Sequence, residues 1–290
     1  MTEVKTKRQS ASLDRRKLLA DPIMVTTIVV LITFLTLFIL YPLAILLVDS
    51  FYSKNGLTLD IFKRVLAIRT SIANTLKVGF LVGILSTLLG LLFAYVEVYV
   101  KLGKFSGGLF KVVSMLPVVS PPFVLSLSMI MLFGKAGLIT RFLLKIYDNN
   151  VYGFWGIAIV SIWQWTGYTM IIYVAGINSI SADVQEAAML DGATGLQKFF
   201  RVTLPLIMPS VTICLFWTIT RACTMFDLPF ALTAGGPFRS SETIAMNIYT
   251  EAFTRNNYGL GSAKAMLFFA AVLIVAQLQV FVTSKQEVQA

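Results

Sequence analysis

The stretch Glu186–Pro205, EAAMLDGATGLQKFFRVTLP, lies between two long apolar segments. Just upstream, Ser181 or Asp183 can cap the start of a helix, and an acidic side chain suits its first turn. Ala and Leu favour the helix, and Gly192 is placed to end it. These signals predict a helix of roughly two to three turns over residues 181–192. Periodicity leaves two interpretations open, an interfacial amphipathic linker or an element held by packing against other groups.

On both sides of this stretch the chain is divided into apolar segments. About 20 helical residues cross a hydrocarbon layer, and residues 23–48 contain no charged side chain. The sequence therefore predicts an all-α, polytopic membrane protein. Six transmembrane helices are predicted, at residues 23–48, 74–98, 110–133, 154–177, 202–225 and 262–283. Gly79 and Gly83 have the small-xxx-small spacing that allows close packing of two such helices.

The composition agrees with a membrane protein. The chain is 57% hydrophobic and 13% charged, about half the charged fraction of a soluble domain. It contains no histidine, which removes the commonest general base and metal ligand and disfavours a membrane enzyme. Cys214 and Cys223 fall on opposite faces of one predicted helix, so we expect packing residues without a disulfide. The net charge of +10 is scattered between apolar segments, which favours anionic lipid over nucleic acid as its partner.

The basic N-terminal tail predicts the orientation. It contains Lys5, Lys7, Arg8, Arg15, Arg16 and Lys17. Because Lys and Arg accumulate on the cytoplasmic side, both termini and the connections 99–109 and 178–201 are expected there. The predicted units are a cytoplasmic tail (1–22), the first transmembrane helix with an outer loop (23–73), a membrane core (74–285) with a cytoplasmic loop at 178–205, and a cytoplasmic C-terminal tail (286–290).

The spacing within the opening stretch is specific. Glu186-Ala187-Ala188, three residues, Gly192, nine residues, Val202, one residue and Leu204-Pro205 resembles the EAA motif of permease subunits of ATP-binding-cassette (ABC) importers. Only Val202 departs from the family pattern, which has Ile there. The resemblance implies a type I permease fold whose cytoplasmic loop docks into a cleft of the ATPase. The ATPase-coupling residues implied are Glu186, Ala187, Ala188, Leu190, Asp191 and Gly192.

The resemblance also implies a transport subunit of a bacterial cytoplasmic (inner) membrane, with no catalytic or metal-binding residue. No G-x-x-x-x-G-K-[ST] sequence is present, so ATP and Mg²⁺ are expected on separate subunits and no cofactor on this chain. The expected partners are two ATPase subunits, a second permease subunit, an extracytoplasmic substrate-binding protein and membrane lipid.

Two parts of the chain resemble different importers. Leu232–Pro237, followed by Ser241-Glu242-Thr243, resembles maltose-type sugar permeases, and this likeness extends over roughly residues 150–290. It implies that Gly235, Gly236 and Pro237 reach into the binding protein; a tight turn is the alternative. Leu116–Phe123 looks more like ferric-ion or polyamine permeases. The predicted cargo is a carbohydrate or sugar derivative, including an anionic or phosphorylated one, with a ferric-ion, polyamine or organophosphate importer as the alternative.

The same resemblance implies a substrate path between the spans that flank the EAA loop. The matching positions are Gln164, Trp165, Tyr168, Thr218, Ala222 and Met225. Tyr168 and Thr218 keep hydroxyls that could bind a sugar, whereas the last two positions depart from the polar residues of maltose permeases. Arg221 stands among them, and a cation inside a span is costly unless it faces a polar cavity or a partner. Contact with an anionic substrate and snorkelling or pairing with Asp227 both stay open.

Overall fold

The computed structural model describes residues 22–53, 56–57, 68–100, 102–133, 150–236 and 239–285. The predicted basic tail, the C-terminal tail, residues 54–55 and 58–67 of the 49–73 connection, most of the 134–153 connection and Pro237 lie outside them. The helices are α1 (Pro22–Leu35), α2 (Tyr41–Asp49), α3 (Arg69–Tyr99), α4 (Lys104–Val119), α5 (Pro122–Phe133), α6 (Asn150–Asn178), α7 (Ala182–Leu190), α8 (Gly195–Lys198), α9 (Leu204–Leu206), α10 (Met208–Cys223), α11 (Asp227–Thr233), α12 (Ile244–Tyr249) and α13 (Tyr258–Ser284). Wider π-helical turns occupy Thr36–Leu40, Phe199–Thr203 and Thr250–Thr254. Two short strands, β1 (Tyr52–Ser53) and β2 (Gly56–Leu57), pair antiparallel.

The all-α membrane class is confirmed. Within the described residues, 4 helices are long and apolar enough to cross a membrane, or up to 6 if each of two bent helix pairs is one span. The four are Pro22–Asp49, Arg69–Tyr99, Gly153–Asn178 and Tyr258–Ser284, and the bent pairs are Lys104–Val119 with Pro122–Leu132 and Gly195–Leu206 with Met208–Cys223. All six predicted segments fall on these helices, so the structure is compatible with six spans.

Proline bends two segments that the sequence predicted as single helices. The chain turns by 113° between α4 and α5, where Ser120 is extended ahead of Pro121. It turns by 70° at Ile207, between Pro205 and Pro209. Proline lacks an N–H donor, clashes with the carbonyl four residues earlier and disfavours helical geometry in the residue before it. Each predicted segment is therefore corrected to a bent pair.

Helix α3 forms the centre of the bundle and packs against α6 and α10. Glycines set its approach to α10. A Cβ atom on Gly79 would lie 2.5 Å from Cys223 Sγ, and one on Gly83 would lie 2.6 Å from Ile219 Cγ1. The predicted packing role of the two glycines is confirmed, because only hydrogen fits between the helices there. Cys223 is free and buried, and so is Cys214, as predicted.

Gly83→Leu is expected to destabilise the bundle. A Cβ at this position would meet the Ile219 Cα atom at 3.1 Å as well as the side chain, so the backbone of α10 must move. Overpacking of this kind typically costs about 1–3 kcal/mol. The midpoint of thermal unfolding in detergent should fall clearly, whereas Gly108→Leu should leave it unchanged because nothing lies within 4 Å of that Cβ position. Equal midpoints for the two variants would contradict the packing role.

Candidate functional site

The loop between α6 and α10 contains the short helix that the sequence predicted. Helix α7 has 9 residues, begins after Ser181 and has Asp183 in its first turn. No side chain caps its start, so the capping role predicted for Ser181 or Asp183 is wrong and only the placement of the acidic residue is confirmed. The helix is too short to be stable alone in water. Contacts with the rest of the protein or with a partner must hold it.

Gly192 ends α7 in the left-handed conformation, with φ of +75°. The Gly192 N–H donates to the Met189 carbonyl and the Ala193 N–H donates to the Ala188 carbonyl, both at 3.1 Å. These two bonds form a Schellman motif, in which glycine is favoured because a Cβ atom is strained at positive φ. Nothing lies within 4 Å of a Cβ built on Gly192. Its role therefore lies in the backbone turn and not in packing.

Helix α7 presents most of its surface outward. Ala188 is 8% exposed, whereas Met189 and Leu190 are 55% and 89% exposed. Glu186 is also exposed, and none of the ion pairs among the described residues includes it. Ala187, Asp191 and Gly192 are exposed too. Of the predicted coupling residues, only Ala188 is buried in the protein. Met189, which the sequence prediction did not include, is exposed beside them.

The second half of the loop is anchored to the end of α3 by aromatic rings. After Gly192, a capping box between Thr194 and Gln197 starts α8. The Phe199 ring then meets the Tyr95 ring edge-on, with centroids 4.9 Å apart. Tyr99 Oη lies 3.1 Å from Thr203 Oγ1. A displacement of the loop would therefore be carried directly to α3, the central helix. Two aromatic residues, Phe199 and Phe200, are visible within the EAA motif, but the sequence does not show which residues they contact.

The predicted path residues on α6 and α10 come together, but several are used in packing. Thr218 is fully buried, and its hydroxyl donates to the Cys214 carbonyl at 2.7 Å. Ala222 is 0% and Met225 8% exposed, in the same core as Trp165. A sugar contact from the Thr218 hydroxyl would therefore need the interface between α3 and α10 to open.

Three of the remaining path residues, Trp165, Tyr168 and Arg221, lie around Trp217. The Tyr168 hydroxyl donates to the Val118 carbonyl at 2.9 Å, so its hydrogen is already used. The Trp217 ring contacts the Trp165 ring at 5.9 Å and the Tyr168 ring at 5.1 Å between centroids. Gln164 is 6% exposed. Trp217 was missed by sequence reasoning, although it lies four residues before Arg221 on the same helix face.

Arg221 is exposed, and its guanidinium lies 6.0 Å from the centre of the Trp217 ring. The predicted alternative of an Arg221–Asp227 pair is not observed: among the described residues neither side chain takes part in an ion pair or a hydrogen bond. Arg221 lies in the last turn of α10, where the helix dipole favours a cation by about 0.3–1 kcal/mol. An arginine at the centre of a membrane helix costs about 2.5–3.5 kcal/mol on insertion scales, and near a helix end the cost falls because the side chain can reach the interface.

The turn after α11 is tight. Ala234 and Gly235 have positive φ, and Gly236 N donates to the Thr233 carbonyl at 2.9 Å. Ser241 Oγ closes the turn by donating to the Gly236 carbonyl at 2.8 Å. Gly235 is buried, so its role here is the conformation of the turn. Contact of Gly235, Gly236 and Pro237 with a binding protein stays a prediction.

A buried polar network joins the connection 234–257 to α3 and α13. Glu242 accepts hydrogen bonds from Ser71 Oγ at 2.7 Å and from Asn247 Nδ2 at 3.1 Å. Lys264 Nζ donates to Asn247 Oδ1 and to Glu251 Oε2, both at 2.8 Å. Sequence reasoning missed this network. The available signal was Lys264, a charged residue inside a predicted apolar segment, which follows the acidic residues Glu242 and Glu251 in sequence.

The charges in this network compensate each other. Lys264 is 4% and Glu251 7% exposed. Burial by itself would raise the pKa of Glu251, but the hydrogen bond and the charge of Lys264 outweigh it. Arg255 and Asn257 act in the same direction, so the pKa of Glu251 lies below its ordinary value of 4.5. The Glu251 carboxylate is therefore ionised at neutral pH, and its negative charge interacts with the positive charges of Lys264 and Arg255.

Comparison with known proteins assigns the family. The model of the family described as binding-protein-dependent transport system inner membrane component matches residues 86–288, well over half of the chain. This chain belongs to that family. The chain is 42% identical over 137 residues to the probable starch degradation products transport system permease protein AmyD of Thermoanaerobacterium thermosulfurigenes, covering 47% of each protein. It is 29% identical over 268 residues to the putative ferric transport system permease protein FbpB 1 of Haemophilus influenzae, covering 89% of this chain and 41% of that protein.

The chain thus spans about half the length of these relatives, or less. A crystal structure of a bacterial ABC transporter involved in the import of the acidic polysaccharide alginate contains a chain with the same fold. The TM-score is 0.80 at 19% identity, covering 96% of this chain and 99% of that chain. A second structure shows a bacterial alginate transporter in complex with a periplasmic protein bound to an alginate pentasaccharide. It matches at a TM-score of 0.76 and 18% identity, covering 91% and 94%. The expected permease fold is confirmed.

Proposed function

We propose that this chain is the permease subunit of an ATP-driven importer that moves a carbohydrate or sugar derivative into the cytoplasm by alternating access. The observation that supports this most is the exposed surface of α7. Leu190 is 89% exposed, the highest fraction among the large hydrophobic side chains described, and Glu186 beside it has no ion-pair partner in the described residues. An exposed apolar surface with a free charge indicates a docking surface. The ATPase subunit is its proposed partner.

In this proposal the two ATPase subunits bind ATP and Mg²⁺, and their closure moves α7. The rings of Phe199, Tyr95 and Tyr99 pass that movement to α3. Because α3 packs against both α6 and α10, its displacement changes the relation of the two helices that carry the predicted path. The loop would then couple the nucleotide state of the ATPase subunits to the side of the membrane from which the path is accessible.

Exposed apolar surfaces support a second permease subunit and lipid as neighbours. The apolar window of Pro22–Asp49 is 0% buried within this chain, and that of Tyr258–Ser284 is 6% buried. A row of touching aromatic rings also runs across the connection between α10 and α13, formed by Phe226, Phe230, Tyr249, Phe253 and Tyr258. Surfaces of this kind contact membrane or protein. In the proposed orientation the termini and α7 are cytoplasmic, and the aromatic row faces the binding protein's side.

The proposed function predicts saturable, ATP-dependent sugar uptake. The importer would be purified through a tag on this chain with its partner subunits, reconstituted in liposomes with ATP inside and its binding protein outside, and supplied with radiolabelled maltodextrins, hexuronates and sugar phosphates. Uptake of at least one carbohydrate should exceed an ATP-free control by at least tenfold. Uptake of ferric ion or a polyamine with no carbohydrate uptake would overturn the proposal.

A second candidate function is import of ferric ion, a polyamine or an organophosphate. The similarity to the ferric permease FbpB 1 over 89% of this chain favours it, whereas the higher identity of 42% is to AmyD. A ferric ion needs oxygen or nitrogen ligands on or near its path. Among the described residues no group of three or more His, Cys, Asp or Glu side chains could hold a metal ion. The same uptake experiment, with ferric ion, putrescine and glycerol phosphate added, distinguishes the two functions.

A further inference from the structure

Arg221 presents an unused set of hydrogen-bond donors on a membrane-spanning helix. The guanidinium carries five N–H donors, and within the described residues its side chain forms no hydrogen bond and no ion pair. Of the nearby polar side chains, Thr218 donates to the Cys214 carbonyl and Thr224 to the Thr220 carbonyl, whereas the buried Thr220 hydroxyl has no hydrogen-bond partner among the described residues. Arg221 differs from all of these in carrying a charge, and that charge calls for an anionic group or water in the assembled importer.

The neighbours of Arg221 form an aromatic shelf. The guanidinium lies 6.0 Å from the Trp217 ring centre, and the Trp217 ring contacts both Trp165 and Tyr168. Trp165 is 9% exposed and Trp217 is half-buried. The shelf is therefore held by packing on α6 and α10, and it orients Arg221 through a cation–π contact. Arg221 is therefore oriented beside a packed aromatic surface, unlike a surface arginine that has no neighbour to orient it.

Trp217 and Arg221 lie on the less covered face of α10, and Trp165 and Tyr168 contact Trp217 from α6. On the same face of α10, Ile213 and Phe216 are 55% and 41% exposed, and Arg221 and Thr224 are exposed further along it. At about 100° per residue these positions fall within an arc of about 140° on one side of the helix. This face changes from apolar to polar along the span, and Arg221 stands on the polar part. The other described helices of this chain leave much of this face uncovered, and its polar part lies at the end of α10 that is farther from the α7 loop. Such a face suits a path that is shared with a second subunit.

We infer that Arg221 and the Trp217 shelf form a subsite for the anionic group of a sugar acid or sugar phosphate. Aromatic rings pack against the C–H face of a sugar, and guanidinium binds a carboxylate or phosphate through two parallel hydrogen bonds. The two contacts together select a ring that carries a negative charge, so a neutral sugar would leave the arginine donors unpaired. This inference rests on the proposed function and narrows its substrate to anionic carbohydrates.

The test uses the complete reconstituted importer and compares Arg221→Gln, Arg221→Lys and Trp217→Leu with the unchanged protein. Uptake of galacturonate, glucose 1-phosphate and maltose is measured over a range of concentrations. The unchanged importer should transport one of the two anionic sugars, and Arg221→Gln should raise its half-saturating concentration by at least tenfold. Arg221→Lys should have a smaller effect, because lysine keeps the charge but loses the paired geometry. Lys77→Gln, another exposed cation in a spanning helix, is the matched control and should leave uptake unchanged.

The outcomes separate the subsite from the proposed function. If maltose is transported, neither anionic sugar is, and Arg221→Gln changes nothing, the subsite is overturned while carbohydrate import stands. If no carbohydrate is transported, both are overturned. Equal effects of Arg221→Gln and Lys77→Gln on an anionic sugar would also overturn the subsite, because they would reflect the general charge of the importer. A loss of anionic uptake confined to the Arg221 and Trp217 variants supports it.

Discussion

Gly192→Val is expected to lower ATP-driven uptake by roughly tenfold or more. Gly192 has φ of +75°, a conformation that costs an ordinary L-residue about 1–2 kcal/mol and a β-branched one more. One or two kcal/mol corresponds to a factor of about 5–30 in a population. The variant would therefore lose the turn that directs α7 out of the loop, while the membrane helices stay folded. ATP hydrolysis by the complete importer should continue without stimulation by the loaded binding protein, because the contact between subunits is weakened and not the ATPase itself.

A graded series and a matched control make this prediction sharp. Gly192→Asn should retain most uptake because asparagine tolerates the left-handed conformation, whereas Gly192→Ala should be intermediate. Gly195→Val is the control in the same loop: it also has open space around its Cβ position, but its φ is not positive. If both valine variants lose uptake equally, the volume of the side chain and not the turn is responsible. Normal coupling in Gly192→Val would contradict the proposed role of α7.

Lys264→Met is expected to destabilise the folded protein by up to about 3–5 kcal/mol, the usual cost of removing one partner of a buried ion pair. The change leaves Glu251, which is 7% exposed, without the ammonium that lies 2.8 Å away. The buried carboxylate must then take up a proton or remain charged with only Arg255, which is 3.1 Å away and half exposed, as its partner. Thermal unfolding in detergent at neutral pH measures the loss. Lys111→Met is the control. It removes the pair between Glu97 and Lys111, whose side chain is 58% exposed, and it should lower the free energy of unfolding by only about 0–1 kcal/mol.

Two further measurements test whether the ion pair causes the effect. The double variant Lys264→Met with Glu251→Gln removes both charges and should recover part of the lost stability. The pH dependence has a definite sign. The pKa of Glu251 is lowered in the folded protein from its ordinary 4.5, so its contribution is present above that value and lost as the pH falls through the folded pKa. The difference between wild type and Lys264→Met should therefore narrow below about pH 4.5. A constant difference, or no recovery in the double variant, would assign the effect to packing.

Length and local chemistry were enough to predict most of the architecture. Each apolar segment of sufficient length became a helix, because a chain in hydrocarbon must satisfy its own backbone hydrogen bonds. Gly192 was predicted to end α7 because few other residues tolerate its conformation. Gly79 and Gly83 were predicted to pack because small residues at that spacing let two helices approach closely. The bends in the helices were harder to predict. Pro121 and Pro205 are visible in the sequence, but the bend angles depend on how the two halves of each helix pack against their neighbours.

The sequence by itself determined that this is a helical membrane protein with a short polar helix between two spans, since hydrophobic length, glycine and proline act locally. Only the tertiary structure decided which polar groups meet. Lys264 and Glu251 are thirteen residues apart in sequence, and Ser71 and Glu242 are 171 apart, so no periodicity predicts that these groups share one network. Likewise, Thr218 and Arg221 lie three residues apart on one helix. Packing against α3 buries the first, while the second remains free on the Trp217 shelf, because burial depends on the surface that the neighbouring helix covers.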